Sequence, residues 1–572
     1  MTTQPVSVTR PERPWFASYP ASVPHELDAA TFGTINEQFD RSVHDFAAKT
    51  VVDSFGVAFS YAQLGKATNA VAAWLQSKGL GPGDSVAIML PNIAAYFPVV
   101  FGILKAGCTV VNINPLYTPR ELTHQLNDSR ARAIFVLAQF EHTVKTASAD
   151  VPVSHVIRVN LGDLLGLKGH LINYIGARKN KINPDGRIKG AVDFATVISI
   201  GRARAVKPVA VKPGDIAFIQ YTGGTTGVAK GAALRHSNLT ANLAQIAAWF
   251  SPSHEQYESS LVMVSPLPLY HIYALTVCCL YVVAHGGAAL LIANPRDIPA
   301  FVKTLKSRRF TMFAGLKTLY NALADNPDIK SVDFSHLTVS LAGGMATQSA
   351  VAAKWQAITG KPIIEGYGLS ETSPMISLNR PDNTIFTGTV GYPWPSTDVS
   401  IRDVNTGLEV AQGSVGEICV KGPQVMAGYW NRPDETAKVM TADGYFRTGD
   451  LALMLPDGQI KIVDRLKEMI IVSGFNVYPN EVEDVLARHP KVREAAVIGL
   501  PDPHSGEAVC AYVVRRDDSV TADELRAFCG QSLTKYKVPK SISFRAELPK
   551  SPVGKVLRRV LRDEVTAAQK KG

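Results

Sequence analysis

Apolar residues recur along the chain in a repeating order, a helical period followed by a short continuous run. Residues 68–77 have helical periodicity, "GLGPGD" at 79–84 is typical of a turn, and "SVAIML" at 85–90 suits a buried strand. The same helix-then-strand order recurs around 260–270 and 336–344. Helices that alternate with buried strands predict parallel α/β sheets.

From about Lys467 the pattern changes. Residues 480–490 and 521–536 have helical patterns, with Thr521 placed as an N-cap. Strand patterns lie between them, at 492–502 and 507–516, and after them, at 541–549. A unit of about 100 residues is small enough to be a separate domain. We therefore predict an α/β chain with two domains. A large domain of stacked, mostly parallel sheets with helices covers 1–466, and a small α+β domain covers 467–572.

Composition and charge change this picture little. The chain has 572 residues, too many for one core, and is 46% hydrophobic with a formal net charge of +10. An excess of cations is compatible with nucleic acid, an anionic membrane surface or polyanionic small molecules. Because the charge is spread along the chain without a basic tail, a solvated surface is favoured and no nucleic-acid partner is predicted.

The cysteines and the apolar segments point to a cytoplasmic protein. No CxxC pair and no Cys/His cluster with zinc spacing is present, which favours buried, reduced thiols. The first 15 residues contain no apolar signal-peptide core. The most apolar stretch, 272–284, is too short to span a bilayer and predicts a buried helix. The six cysteines are Cys108, Cys278, Cys279, Cys419, Cys510 and Cys529.

One segment, 161–183, mixes leucine, isoleucine and tyrosine with cationic residues. Two interpretations stay open. The segment contacts an anionic membrane surface from the cytoplasmic side, or it is a surface insertion with a half-buried face.

Residues 221–231, "YTGGTTGVAKG", combine backbone freedom, hydroxyl groups and one cation. Glycines let backbone N–H groups turn toward an anion, and a lysine adds a point charge for phosphate. The strand-like "DIAFIQ" precedes this loop, so the loop lies where α/β proteins bind ligands. It is not a Walker loop, because Lys230 stands between Ala229 and Gly231. The candidate phosphate contacts are Thr222, Gly223, Gly224, Thr225, Thr226, Gly227 and Lys230.

Four further motifs follow in order. They are "EGYGLSET" (365–372), "GYFRTGD" (444–450), "VDRLKEMIIVSGFNVYPNEVE" (463–483) and "PKSPVGKVLRR" (549–559). With the loop, they resemble the signature series of the adenylate-forming enzymes, which include acyl-CoA synthetases, luciferases and peptide-synthetase adenylation domains. The resemblance covers nearly the whole chain. Within that superfamily, "VNINPLYTPREL" (111–122) and "PLPLYHIYALT" (266–276) look like bacterial long-chain fatty-acid–CoA ligases.

The resemblance implies a two-step reaction with ATP and coenzyme A as co-substrates. A carboxylate is a poor electrophile, so such enzymes first join it to the α-phosphate of ATP and release pyrophosphate. The thiol of coenzyme A then attacks the acyl adenylate. Stabilising the charge on the transferring phosphate is the main catalytic task.

The resemblance also implies the nucleotide contacts. Tyr367 would stack on adenine, and Ser370 would bond the α-phosphate. Asp450 would accept hydrogen bonds from both ribose hydroxyls, assisted by Arg465. The other implied contacts, several of them glycines that allow close backbone approach, are Gly343, Gly344, Glu365, Gly366, Gly368, Ile462 and Lys555.

Catalytic and metal-binding roles are implied for a smaller set. Glu371 and Thr222 would place Mg²⁺, which prefers oxygen ligands. Lys555 would reach the carboxylate and the α-phosphate in the first step. The implied catalytic residues are Lys555, Glu371, Thr222, Lys230 and His271.

Lys467 occupies the hinge position of these enzymes, about which a mobile small domain rotates between the two steps. The second orientation would bring Ser473, Gly474 and Phe475 to coenzyme A. Near the position at which this chain has Leu275, relatives have a large aromatic residue that gates the acyl tunnel. The resemblance therefore does not say how the tunnel is gated in this chain.

We therefore expect a ligase that activates a medium- to long-chain fatty acid. An aryl or dicarboxylic acid remains an alternative, as does a nucleotide-binding scaffold on a decayed enzyme fold, although Lys555, Glu371 and Asp450 are all present. The expected partners are fatty acid, ATP, coenzyme A, an anionic membrane surface and, by analogy, a second copy of the chain.

Overall fold

Four sheets organise the part of the chain that the structure describes. The computed structural model describes residues 13–147, 151, 153–179, 186–222, 229–251, 261–551 and 554–569. Two large sheets have nine and eight strands, and two smaller ones have four and five. This mixture of parallel-rich sheets and helices confirms the predicted α/β class.

The nine-stranded sheet, here called sheet A, has five parallel pairings in its centre and antiparallel strands at both edges. The predicted strand within 336–344 is its central Val339–Ala342. In spatial order its strands are Tyr392–Pro393, Met375–Leu378, Ile363–Gly368, Val339–Ala342, Met312–Gly315, Val262–Ser265, Ala288–Leu291, Thr50–Ser54 and Val57–Ser60.

The eight-stranded sheet, sheet B, is parallel except at the edge that carries the predicted phosphate loop. There Ile216–Thr222 and Lys230–Arg235 form an antiparallel pair that aligns Thr222 with Lys230. In spatial order its strands are Gly428–Tyr429, Lys230–Arg235, Ile216–Thr222, Thr109–Asn112, Ser85–Met89, Ala131–Leu137, His155–Val159 and Val192–Asp193.

The two smaller sheets follow in the second half of the chain. The four-stranded sheet C is fully antiparallel and consists of Asp398–Arg402, Gly416–Lys421, Phe446–Met454 and Ile460–Arg465. The five-stranded sheet D consists of Phe475–Val477, Ile470–Val472, Gly506–Arg515, Val492–Asp502 and Ser541–Phe544. Separate apolar clusters on sheet D contain only residues from 470 onward. The boundary at 466/467 itself stays a prediction.

Helices pack around the sheets, and capping boxes start several of them. Thr34, Ser60 and Thr118 each accept a hydrogen bond from the backbone three residues on, and a Glu or Gln side chain there bonds back. Thr521 caps its helix as predicted, accepting from the Glu524 N–H at 3.1 Å. The longer helices are Ile35–Asp45, Tyr61–Ser77, Tyr96–Lys105, Pro119–Ser129, Glu141–Ala147, Gly166–Lys179, Phe194–Arg202, His236–Phe250, Ile298–Lys306, Lys317–Asp325, Ser349–Thr359, Pro433–Val439, Pro479–Ala487, Ala522–Gly530 and Arg558–Gln569.

The apolar stretch 272–284 is a buried helix, as predicted. Its middle, Leu275–Leu280, has π-helical hydrogen bonding between the short segments Ile272–Ala274 and Tyr281–Ala284. All six cysteines are buried and unpaired, which fits the expectation of reduced thiols. In the described ranges, every helix falls short of the length and apolarity that crossing a bilayer requires.

Ionic contacts join the last part of the chain to what precedes it. Arg558 at the start of the last helix lies 3.9 Å from Asp464 in the last strand of sheet C. Arg516, which follows the strand Gly506–Arg515 of sheet D, lies 3.5 Å from Asp325 in the helix Lys317–Asp325. The two parts are thereby held face to face across a cleft.

Candidate active site

The carboxyl ends of adjacent strands of sheet A carry two of the predicted motifs. Gly343 and Gly344 follow Val339–Ala342, and the turn Ser370–Thr372 follows Ile363–Gly368. Carboxyl ends of parallel strands are where α/β proteins form ligand crevices. A Cβ on Gly343 would lie 3.4 Å from the Tyr273 ring, so this crevice borders the buried helix.

The glycines of this crevice are predicted from the sequence to allow close approach of a ligand to the backbone, and this explanation does not hold for all of them. A Cβ on Gly366 would lie 2.5 Å from Met375 Cε, and one on Gly368 would lie 1.9 Å from the Pro374 carbonyl oxygen. Backbone packing within the protein therefore already excludes a side chain at Gly368, whereas at Gly366 the side chains of Met375 and Leu378 would have to move. Gly344 differs, because its φ is +79° and the nearest atom to a Cβ would be 3.6 Å away.

Asp450 is the centre of the first polar cluster. It is buried in the strand Phe446–Met454 of sheet C, and the hydroxyl of Tyr367 from sheet A donates to its Oδ2 at 2.7 Å. The Arg465 Nε lies 2.9 Å from its Oδ1. Both carboxylate oxygens are thus held in place, and each keeps a lone pair for a further donor. The structure brings together three residues that the sequence placed up to 98 positions apart, from 367 to 465.

Lys555 enters the same cluster from the last part of the chain. Burial, and secondly the positive charge of Arg465, lower its pKa to about 8, while Asp450 opposes that change. At neutral pH the side chain is therefore mostly an ammonium. A cation held this way lacks full hydration and is available to an anionic ligand.

His271 lies close to Lys555. Burial, and then the charge of Lys555, lower the pKa of His271 to about 4, so its ring is neutral at pH 7. Its Nδ1 accepts the Tyr273 N–H at 3.3 Å, which leaves Nε2 as the N–H donor. A neutral donor beside an ammonium suits an anionic group that carries several oxygens.

A second cluster joins Glu371 to the phosphate-loop strands. The turn Ser370–Thr372 packs against both Ile216–Thr222 and Lys230–Arg235. Burial raises the pKa of Glu371, and the Tyr429 hydroxyl, which donates to Oε1 at 2.8 Å, opposes that rise. The Lys230 ammonium lies 4.9 Å from the centre of the Tyr429 ring and is paired with the Glu435 carboxylate.

Thr222 completes this second cluster at the end of its strand. Its hydroxyl donates to the Lys230 carbonyl oxygen at 3.4 Å. The predicted residues Gly223, Gly224, Thr225, Thr226 and Gly227 lie outside the described residues. The two ends of the loop nevertheless lie beside the Glu371 turn.

Three remaining nucleotide candidates surround these clusters. Glu365 is buried, and burial raises its pKa to about 7 although the Thr347 N–H donates to it at 2.6 Å. Ile462 pairs with Ala452 across sheet C, two residues from Asp450. Ser370 starts the turn that carries Glu371.

The predicted coenzyme A residues lie apart, on a hairpin of sheet D. Ser473 and Gly474 form its two-residue turn with φ of 49° and 84°, a pair of values typical of a type I′ turn. Phe475 is exposed and stacks on Tyr536 with ring centres 5.0 Å apart. Lys467 is exposed in the turn Leu466–Glu468, where sheet C connects to sheet D.

Two functional candidates escaped the sequence analysis. Tyr429 links Glu371 to Lys230, yet it lies on a two-residue strand that only the pairing with Lys230–Arg235 brings there. Lys317 is half-buried near Glu483 and Glu365, and desolvation lowers its pKa while Glu483 opposes the change. Nothing in the local sequence of either residue signals these long-range contacts.

Comparison with known proteins finds two family models that match this chain. A family model described as AMP-binding enzyme matches residues 39–430, and one described as AMP-binding enzyme C-terminal domain matches residues 481–555.

Individual relatives extend over nearly the full length. The long-chain-fatty-acid–CoA ligase of Yersinia pestis is 48% identical over 97% of this chain and 98% of its own. The feruloyl-CoA synthase of an Amycolatopsis species is 35% identical over 89% of this chain and 94% of its own. Among solved structures, ATP-bound MatB from Rhodopseudomonas palustris superposes with a TM-score of 0.80 at 28% identity, over 93% of this chain and 99% of that chain.

The charge environment of Lys555 gives a direct prediction. In Arg465→Met the pKa of Lys555 should rise from about 8 toward its ordinary value of 10.5, because a repelling cation is lost and Asp450 loses its partner. The measurement is a pH titration by NMR with ¹³C-methylated lysines, in which Lys555→Ala identifies the signal. Arg447→Met, which removes the partner of Glu417 in sheet C, should leave that signal unchanged. An unchanged or lower pKa in Arg465→Met would contradict the described cluster.

Proposed function

Since this chain belongs to the AMP-binding enzyme family, we propose that it joins a medium- to long-chain fatty acid to AMP and then to coenzyme A. It is an AMP-forming acid–thiol ligase, as supported by relatives of matching length and 46–48% identity. In the first step a carboxylate oxygen bonds the α-phosphorus of ATP and pyrophosphate leaves. In the second step the thiol of coenzyme A attacks the acyl carbon and AMP leaves.

An apolar cavity supports the choice of acid. A small cavity of about 20 Å³ lies behind the crevice and is lined only by apolar and aromatic side chains, among them Tyr273, Val277, Leu341, Ala342 and Met375. Ligand pockets for apolar groups are lined mostly by such side chains. Ala342 directly precedes Gly343, so the cavity begins beside the glycines of the crevice. A carboxylate held in the crevice would extend its alkyl chain along this apolar lining, whose side chains would have to move apart to admit it.

Tyr273 lies where the acyl chain would enter the apolar cavity from the crevice. It lines the cavity and borders Gly343, whereas Leu275 is fully buried within the π-helical segment. We propose that the Tyr273 ring, rather than a residue at position 275, marks the entrance for the acyl chain.

The two polar clusters would bind different parts of the nucleotide, the first the ribose and α-phosphate and the second the outer phosphates. Asp450, held by Tyr367 and Arg465, would accept the ribose hydroxyls with its remaining lone pairs. The Lys555 ammonium and the His271 Nε2–H would stabilise the oxygens of the carboxylate and α-phosphate as the new bond forms. Glycines of the crevice and the face of Tyr367 would take the adenine.

The second cluster suits the outer phosphates. Lys230 would exchange its contact with Glu435 for the β- and γ-phosphates, supported by the loop 223–227. The buried Glu371 carboxylate and the Thr222 hydroxyl are hard oxygen donors on neighbouring elements, which fits Mg²⁺, an ion that takes few protein ligands when phosphate is present. Such an ion would supply positive charge that offsets the negative charge of the outer phosphates.

The described arrangement matches the first step, because Lys555 is already in the cleft. The exposed hairpin with Ser473, Gly474 and Phe475 would then serve the second step after rotation about Lys467. We place the enzyme in the cytoplasm with peripheral contact to an anionic membrane. An aryl or dicarboxylic acid is the second candidate, favoured by the feruloyl-CoA synthase relative.

Release of AMP that depends on coenzyme A, measured with Mg-ATP across acids from acetate to oleate, tests the function. The value of kcat/KM should rise roughly fourfold for each added methylene until the cavity is filled, because each buried methylene contributes about 0.8 kcal/mol. Benzoate, coumarate and pimelate serve as comparison acids. A maximum on one of these would keep the two-step chemistry and overturn the choice of a fatty acid.

Lys555→Ala should separate the two half-reactions. Formation of acyl-AMP should fall by about two to three orders of magnitude, because a donor to the reacting oxygens is lost. Attack of coenzyme A on supplied acyl-AMP should stay within a few-fold, and Lys550→Ala, which only loses its contact with Glu494, should change neither rate. Equal loss of both half-reactions in Lys555→Ala would refute the assigned role.

Tyr429→Phe should weaken the use of Mg²⁺. The variant keeps the ring beside Lys230 but removes the hydroxyl that favours the charged form of Glu371, so the pKa of that carboxyl should rise further. Hydrogen bonds to charged groups contribute about 1.5–3 kcal/mol, so apparent Mg²⁺ affinity at neutral pH should fall roughly ten- to hundredfold. Tyr445→Phe, which loses a comparable bond to Asp398 in sheet C, is the matched control. Identical Mg²⁺ titrations for Tyr429→Phe and wild type would exclude this role of the hydroxyl.

A further inference from the structure

The helix Gly166–Lys179 has apolar side chains on two opposite faces. Its inner face packs through Gly169, which approaches Gly162 closely, and through Ile172, which contacts the main core. Asn173 fixes the same face, because its Oδ1 accepts the Gly162 N–H at 2.6 Å. The helix is therefore anchored to the body of the chain by one side.

The outer face is exposed yet apolar. Leu167 is 91% exposed, Leu171 58%, Tyr174 55% and Ile175 53%. Their spacing of four, three and one residues places them along one side of the helix. Single exposed apolar residues are ordinary, but four along one helix face form a patch of the kind that marks an interaction site.

A second element adds to this patch. Phe55 lies at the turn between Thr50–Ser54 and Val57–Ser60 and is 38% exposed with a φ of 51°. A Cβ on the next residue, Gly56, would lie 3.2 Å from the Lys168 ammonium and 3.1 Å from an Arg308 nitrogen. The turn and the start of the helix are therefore neighbours. A bulky residue in the left-handed region at a turn tip is rare, since Asn and Gly adopt it more easily.

Cations accompany the apolar side chains, and acidic residues are missing from the helix sequence. Residues 166–179 contain Lys168, His170, Arg178 and Lys179 and no Asp or Glu. Arg178 lies over the Tyr174 ring at 4.5 Å, so its charge stays at the edge of the patch. Arg308 nearby is paired with Asp53 at 2.6 Å. The surface thus combines an apolar centre with a positive margin.

We propose that this docking surface, formed by Phe55, Leu167, Leu171, Tyr174 and Ile175 with Lys168 and Arg178, rests on an anionic lipid bilayer. The apolar side chains enter the boundary between headgroups and acyl chains, and the cations contact phosphate groups. Tyrosine suits such a boundary, having an apolar ring and a polar tip. The choice of lipid over a protein partner rests on this charge complementarity and on the proposed function, because a long-chain acid partitions into membranes.

Flotation with vesicles tests the surface directly. Wild type should float with vesicles of phosphatidylcholine and phosphatidylglycerol, less with phosphatidylcholine alone, and less at high salt. Reversing two charges in Lys168→Glu/Arg178→Glu should weaken binding at least about tenfold. Lys212→Glu/Lys361→Glu, two exposed lysines in other loops of the large domain, is the matched control and should float like wild type.

The apolar part needs variants that do not impair folding. Leu171→Asp/Ile175→Asp changes only exposed positions and should lower vesicle binding about tenfold or more, whereas Leu408→Asp, at a residue that is 70% exposed elsewhere, should not. Phe55→Asn should also lower binding while leaving the melting temperature equal or higher, because Asn accepts a positive φ more readily. A folded Phe55→Asn protein with reduced binding separates the lipid contact from stability.

Activity on decanoate in vesicle-free buffer keeps this test independent of the proposed function. The variants of the docking surface should retain that activity, since they lie outside both polar clusters and the cavity lining. If the wild-type protein floats with vesicles but is inactive on decanoate, the proposed function is refuted and the docking surface is still supported. Wild type that fails to bind anionic vesicles, or charge and apolar variants that float like wild type, would overturn the docking surface. A second copy of the chain as its occupant would show as a dimer mass that Leu171→Asp/Ile175→Asp alone abolishes, with flotation unchanged.

Discussion

The ammonium group of Lys555, held in the cleft beside Arg465 and Asp450, is the interaction on which the arrangement of the site depends. Burial and a neighbouring cation both disfavour its charge, so other contacts must hold the last part of the chain in place. Arg558 lies 3.9 Å from Asp464, and Arg516 lies 3.5 Å from Asp325. An anionic substrate in the cleft would relieve the cost of burying Lys555, which couples binding to closure of the cleft.

The acidic residues of the site are also held by protein donors. Asp450 accepts from Tyr367 and pairs with Arg465, Glu371 accepts from Tyr429, and Lys230 pairs with Glu435. Such partners fix the side chains before the substrate arrives, so little reorganisation remains for the reaction step. The contact between Lys230 and Glu435 differs, because in the proposed function this lysine would have to leave its partner to reach phosphate.

Local patterns in the sequence predicted those features that depend on neighbouring residues alone, such as helix caps, strands and buried helices. Thr521 caps its helix, "DIAFIQ" lies in the strand that leads into the phosphate loop, and 272–284 forms a buried helix. The resemblance to the adenylate-forming enzymes implied Asp450, Arg465 and Lys555, which the fold gathers in one cluster. It did not reveal Tyr429, which reaches Glu371 only through the pairing of a two-residue strand. The crowding at Gly366 and the exposed outer face of Gly166–Lys179 likewise depend on which elements become neighbours.

The central claim is that the described arrangement performs the first half-reaction and that coenzyme A needs another. The most direct measurement locks this arrangement through a short bismaleimide between Asp325→Cys and Arg516→Cys, positions whose native side chains are 3.5 Å apart, in a protein whose own cysteines are buried. The cross-linked enzyme should form acyl-AMP at close to the rate of the uncross-linked double variant and should lose thioester formation from supplied acyl-AMP. Full turnover to acyl-CoA by the cross-linked enzyme, or loss of acyl-AMP formation with thioester formation intact, would contradict the account.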